Sequence, residues 1–146
     1  MQKKFYIPPQ EKTHELSADD SAFKTVLVLE DDPGMTEILV ACLEANNFRV
    51  TCVKNGVEGL KKIMNDDYDV ILCDMMMPNL PGDMFYIAVE RTKPHLCKRF
   101  VFMTGYKGDK KIDEFIRRVR GIMLWKPFQV HELMDTIKIV LKKSAE

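Results

Sequence analysis

The chain has 146 residues, enough for one compact domain with a full core. Hydrophobic residues make up 46% and charged residues 30%, and 22 basic residues balance 22 acidic ones, so no basic excess is available for direct nucleic-acid binding. No apolar run nears the ~20 residues that cross a bilayer, no signal peptide is visible in MQKKFYIPPQ, and Cys42, Cys52, Cys73 and Cys97 form no C-x-x-C pair, which predicts buried reduced thiols in a cytoplasmic protein without membrane contact.

Residues 1–23 are polar, carry Pro8-Pro9 and show no apolar period. They read as a flexible extension or linker, with a short extended piece at Phe5 to Ile7, ahead of a folded domain over 24–146. Phe23 is expected to be the first residue to pack. Thr25 to Leu29 (TVLVL) is a β-branched and aliphatic run, hence a strand buried on both faces. It stops on Glu30, Asp31 and Asp32. Asp32-Pro33 is a helix start, with the aspartate as N-cap and proline at the first helical position. Met35, Ile38, Leu39, Cys42 and Leu43 then form a stripe expected to face the core.

Arg49 to Val53 is a second strand, and Gly56 to Met64 a second amphipathic helix through Val57, Leu60, Ile63 and Met64. Asp69 to Cys73 is a third strand, which runs straight into Asp74 and the loop MMMPNLPG. A third helix runs from Gly82 to about Arg91, with Met84, Phe85, Ala88 and Val89 expected inward. Phe100 to Met103 is a fourth strand and ends in Thr104-Gly105. Lys107 to Val119 reads as a helix through Ile112, Phe115, Ile116 and Val119. Ile122 to Trp125 is a fifth strand, ending in Lys126-Pro127. A last helix spans about Gln129 to Lys143 on a stripe of Val130, Leu133, Met134, Ile137, Val140 and Leu141.

Strands alternating with helices in this way predict an α/β fold, a doubly wound (βα)5 unit around a five-stranded parallel sheet. Ligands of such sheets bind beyond the carboxyl ends of the strands. Those ends carry Glu30, Asp31 and Asp32, then Asp74, Thr104 and Lys126; the second strand ends in Lys54-Asn55 and is expected to lie to one side. Several carboxylates at one mouth repel one another and need counter-charge. Lys126 supplies part of it. The donors are oxygens, and His14, His95 and His131 have no ligand spacing, so Mg2+ or Mn2+ fits better than zinc. A metal, a lysine, a hydroxyl and a further carboxylate make a clamp for a phosphoryl group. Either Asp74 accepts phosphate as a nucleophile, or the carboxylates only hold metal for hydrolysis of a bound substrate.

From about Lys24 to Lys143 the sequence resembles a response-regulator receiver domain of two-component signalling. The pieces that carry the likeness are LEDDP, CDMMMPNLPG, MTG and WKPF, each after a predicted strand and in this order. The resemblance implies a flavodoxin-like strand order 2-1-3-4-5, with Asp74 as phosphoacceptor. It implies Asp31 as the direct metal ligand, Glu30 as an acidic partner acting through water, Asp32 as a helix cap, and the Met76 backbone carbonyl as a further ligand. Thr104 would donate its hydroxyl to the phosphoryl group and Lys126 would pair with it. The donor would be a histidine kinase or a phosphotransfer domain, and the face of helix 4, strand 5 and helix 5 would switch and offer a surface for homodimerisation.

The sequence departs from the family at Met123, three residues before the lysine, where many receivers carry an aromatic switch residue. Trp125 is expected to pack under the last helix. Met76 and Tyr106 are expected at the rim of the site, where bulk would slow water attack on the phosphorylated form. RFVFMTG and LWKPF resemble the C-terminal receiver of a hybrid histidine kinase, with a stand-alone regulator as the alternative. Two rival functions remain: a small Mg-dependent phosphatase of the haloacid-dehalogenase type, and a receiver that binds protein without being phosphorylated. The first needs an acid two residues after its nucleophile, where this chain has Met76.

Overall fold

The computed structural model describes residues 23–105 and 107–145. The expected extension and its extended piece at Phe5 to Ile7, together with Tyr106, lie outside the described residues. In chain order the elements are β1 (Lys24–Leu29), α1 (Pro33–Ala45), β2 (Phe48–Val53), α2 (Gly56–Asn65), β3 (Val70–Asp74), α3 (Gly82–Thr92), a 3-10 helix (Pro94–Arg99), β4 (Phe100–Thr104), α4 (Lys110–Val119), β5 (Ile122–Trp125) and α5 (Val130–Ser144). The strands pair in parallel in the order β2-β1-β3-β4-β5. β2 is thus one of the two edge strands, to one side as its polar exit implied. No helix among the described residues is long and apolar enough to cross a membrane.

Alternation along the strands divides the core into two layers. Leu27, Leu29, Ile71, Cys73, Phe100 and Phe102 point to the side covered by α2, α3 and α4. Val26, Val28, Val70, Leu72, Val101, Met103 and Leu124 point to the side covered by α1 and α5. Each inner strand is buried along almost its whole length, which is why its sequence shows no polar alternation.

The helix faces are narrower than the apolar stripes. Leu39 and Leu43 anchor α1, while Ile38 falls outside the contact and is 57% exposed. In α2 the predicted Val57 and Met64 are exposed, and the buried line is Gly56, Gly59 and Ile63. The two glycines let α2 come close: a Cβ on Gly59 would stand 2.6 Å from Leu29 Cδ2, and one on Gly56 would stand 2.5 Å from the Leu80 carbonyl oxygen. In α3, Met84 is exposed and Tyr86 takes the inward place, its ring edge-on to Phe100 and Phe115. In α5 the buried line is Leu133, Ile137 and Val140, and Val130 is exposed.

α4 starts at Lys110 rather than Lys107, because the Asp109 carboxylate accepts from the Lys111 and Ile112 amides and Gly108 sits at φ +85. Asn55 caps α2 in the same way, accepting from the Glu58 amide. All four cysteines are free, but only Cys73 is fully buried and Cys52 is exposed on the edge strand, against the expectation of four buried thiols. Trp125 also departs from expectation. Leu124 packs against α5, so Trp125 faces the opposite side with Met123, where the Lys107 ammonium lies 5.7 Å from the ring centroid.

Candidate functional site

The carboxyl ends of β1, β3, β4 and β5 converge on one open cleft of about 410 Å3, lined by Glu30, Asp31, Asp32, Asp74, Met76, Gly105 and Lys126. Register explains the convergence. Cys73 pairs with Leu29, Asp74 with Met103, and Thr104 with Trp125, so the polar residues after each run stand side by side. Backbone hydrogen bonds continue past the strands: the Met75 amide donates to Met103 and the Lys126 amide to Thr104, at 2.9 and 2.8 Å.

Glu30, Asp31 and Asp74 each offer a carboxylate oxygen, all within 4.8 Å of one another. Asp32 is not among them. Its carboxylate accepts from the Gly34 amide at 3.0 Å and caps α1. Glu30 is nearly inaccessible and fully engaged, with Oε1 2.7 Å from Lys126 Nζ and Oε2 accepting from the Asp32 amide. Asp74 Oδ2 accepts from Lys126 Nζ at 2.9 Å, and Oδ1 accepts from the Met76 amide at 3.0 Å. Both oxygens of the side chain are thereby oriented.

One ammonium therefore answers two buried carboxylates, with a third carboxylate beside them. Burial pushes the Glu30 carboxyl above its ordinary value; its hydrogen bond to Lys126 opposes this and the Asp74 charge adds to it. Burial pulls the Lys126 ammonium down, but the hydrogen bonds and charges of Glu30 and Asp74 together outweigh it and the net shift is upward. Three carboxylates against one ammonium leave an excess of two negative charges, and the donors are all oxygen. Such a set suits a hard divalent cation.

Thr104 is buried at the end of β4, immediately before the cleft-lining Gly105. Met76 is 48% exposed on the rim. Met123 lies half-buried against the core below α4, two residues from Trp125 on the same face of β5. Sequence reasoning did not find the Met76 and Asp32 amides as donors, since backbone groups carry no residue signature. The loop expected after Asp74 is present, and within it Asn79 and Leu80 adopt φ 51 and 92; the Lys126-Pro127 bond beside the cleft is cis. Leu80 is an unusual residue at positive φ; its side chain packs on the core, with its carbonyl against Gly56.

The sequence model of the family described as "Response regulator receiver domain" matches residues 26–138. The CpxR homolog of Haemophilus influenzae, a transcriptional regulatory protein, is 35% identical over 126 residues, which are 82% of this chain and 51% of that protein. The sensor kinase CckA of Brucella abortus is 27% identical over 139 residues, 94% of this chain but 14% of that protein. The chain thus spans about half, or much less, of these two relatives. Among solved structures, the chemotaxis response regulator CheY4 of Vibrio cholerae superposes with a TM-score of 0.74 at 25% identity, covering 82% of this chain and 99% of CheY4.

Proposed function

The chain belongs to the response regulator receiver family, and from that membership and the cleft geometry we propose that Asp74 accepts a phosphoryl group from a histidine kinase or phosphotransfer domain. The observation that carries the assignment is the Lys126 ammonium, within 2.9 Å of Asp74 and 2.7 Å of Glu30, at the one cleft where four strand ends meet. An Asp74 oxygen forms the new O–P bond while the donor's N–P bond breaks, and the departing imidazole takes a proton. The Met76 amide and Lys126 hold the carboxylate in one orientation for that attack. Lys126 then pairs with the added charge, and the Thr104 hydroxyl donates to a phosphoryl oxygen.

Asp31, Asp74 and the Met76 carbonyl would hold Mg2+ (or Mn2+), with Glu30 acting through water. When bound, the ion offsets charge on the transferring oxygens. Inward movement of Thr104 and Lys126 would carry their loops and reshape the α4-β5-α5 face, which is the proposed surface for output and for homodimerisation. The aromatic-swing version of that switch is not available to Met123. The proposed activity is self-phosphorylation from a donor and slow loss of phosphate in a cytoplasmic module, with no turnover of free substrate. Family membership replaces the haloacid-dehalogenase reading, and Met76 could not serve as its general acid.

Intact mass after incubation with Mg2+ and acetyl phosphate tests the proposal. One added phosphate, absent in Asp74→Asn and in the presence of chelator, is expected. No adduct in the parent would favour a receiver that binds protein without phosphorylation, and sustained hydrolysis of generic phosphoesters would revive an enzyme.

A further inference from the structure

Three methionines follow Asp74, and they do not share an environment. Met75 and Met77 are buried, at 3% and 7% exposed, whereas Met76 between them is 48% exposed. Its backbone is held in place, since the Met76 amide donates to Asp74 Oδ1 at 3.0 Å. Its side chain lines the cleft and also a neighbouring hollow of about 250 Å3 between the start of α3 and the start of α4. The thioether thus forms part of the wall between two open spaces. Met64 and Met84 are exposed as well, at 60% and 49%, but neither lines the cleft.

An accessible thioether is a target for peroxides, and its sulfoxide is polar where the parent is apolar. Cysteine oxidation, by contrast, goes through the thiolate. Burial pushes the Cys73 and Cys97 thiols up, and partial burial of its sulfur, with the Glu44 charge added, pushes Cys52 up to about 11. Those three thiols therefore compete poorly at neutral pH. Among the described residues that line the cleft, Met76 alone carries a sulfur.

We propose that Met76 is a site of reversible oxidation by hydrogen peroxide, and that its sulfoxide shortens the life of the phosphorylated form. The proposal rests on Asp74 as the acceptor. A sulfur lone pair attacks one peroxide oxygen, so that the S–O bond forms as the O–O bond breaks. The thioether loses two electrons and the peroxide gains them. The departing hydroxide takes the remaining proton from the transferred oxygen and leaves as water. A thioether is a weak hydrogen-bond acceptor. The sulfoxide oxygen is a strong one, and it holds water two residues from the acyl phosphate that water must attack. Reduction of the sulfoxide restores the apolar rim.

The test treats the full chain with hydrogen peroxide, removes the oxidant with catalase, phosphorylates with Mg2+ and acetyl phosphate, and follows loss of phosphate by intact mass. Fragment-ion mass spectrometry is expected to place one oxygen on Met76 and none on Met75 or Met77. Phosphate should leave the oxidised protein several-fold faster than the untreated protein, and methionine sulfoxide reductases should restore the slower decay. Met76→Leu keeps the backbone amide and carbonyl but has no sulfur, so its own rate of decay should be the same before and after peroxide. The double variant Met64→Leu, Met84→Leu should respond to peroxide as the parent does. Oxygen on Met64 and Met84 but not on Met76, a parent lifetime unchanged or lengthened by peroxide, or equal acceleration in Met76→Leu would each overturn the proposal. An untreated protein that takes no phosphate would mark failure of the Asp74 assignment itself, and the proposal would fall with it.

Discussion

Replacing Lys126 with methionine takes away the shared cation of two carboxylates that are themselves 2% and 5% exposed. Removing one partner from a buried ion pair costs about 3–5 kcal/mol. The Lys126 side chain is 21% exposed and the cleft is open, so the expected loss without divalent cation is smaller, about 2–3 kcal/mol. With a urea m-value of about 1–3 kcal/mol/M, that is a fall of roughly 0.7–3 M in the unfolding midpoint. Saturating Mg2+ should restore much of the loss, because it brings the missing positive charge to the same oxygens. The pH dependence has a definite sign. Glu30 already titrates above its ordinary 4.5, and losing Lys126 removes an interaction that lowers it. The folded state then holds more protons than the unfolded one in the window just above pH 4.5, so the variant gains stability as pH falls through that window. Urea melts in chelator, in Mg2+ and at two pH values read all three effects. A midpoint equal to the parent's in chelator, or a loss untouched by Mg2+ and pH, would refute this account of the cleft.

Gly59→Ala gains about 1 kcal/mol of helix propensity but places a Cβ 2.6 Å from Leu29 Cδ2 and 2.9 Å from Phe85 Cε1, both fully buried. Overpacking of that kind costs about 1–3 kcal/mol, so a net loss of about 1 kcal/mol is expected in urea unfolding, and a gain would show that α2 can move away. Mg2+ affinity should weaken on acidification while the pH is still above 4.5, since a protonated Glu30 no longer contributes charge; Trp125, the single tryptophan and the neighbour of Lys126, gives the fluorescence signal. Affinity constant down to pH 4.5 would contradict the raised Glu30. Met76→Asn replaces a rim thioether with a group that can hold water, and the phosphorylated form should decay several-fold faster by intact mass; an unchanged lifetime would remove Met76 as a shield.

The arrangement of the acids was legible because strand ends in a parallel sheet share one edge. Once TVLVL and VILC are read as buried strands, Glu30, Asp31 and Asp74 must meet. The Asp32-Pro33 pair likewise announced its cap, which keeps Asp32 apart from the cluster of Glu30, Asp31 and Asp74. The inner face of α2 was not legible, because its contact rests on Gly56 and Gly59, residues that add nothing to an apolar stripe and act through the room they leave. Trp125 was misplaced for a related reason. β5 is only four residues long, and its phase is set by Leu124 against α5 rather than by hydrophobicity, since all four residues are apolar.

The measurement that bears most directly on Asp74 is reductive trapping of the phosphorylated protein. An acyl phosphate on aspartate is reduced by borohydride to homoserine, whereas phosphate esters are not. After incubation with Mg2+ and acetyl phosphate, peptide mass spectrometry should find homoserine at position 74 in the parent, with Asp31 and Glu30 unaltered, and none in Lys126→Met at matched early times. Homoserine at Asp31, or phosphate retained on a hydroxyl after reduction, would contradict the assignment of the acceptor.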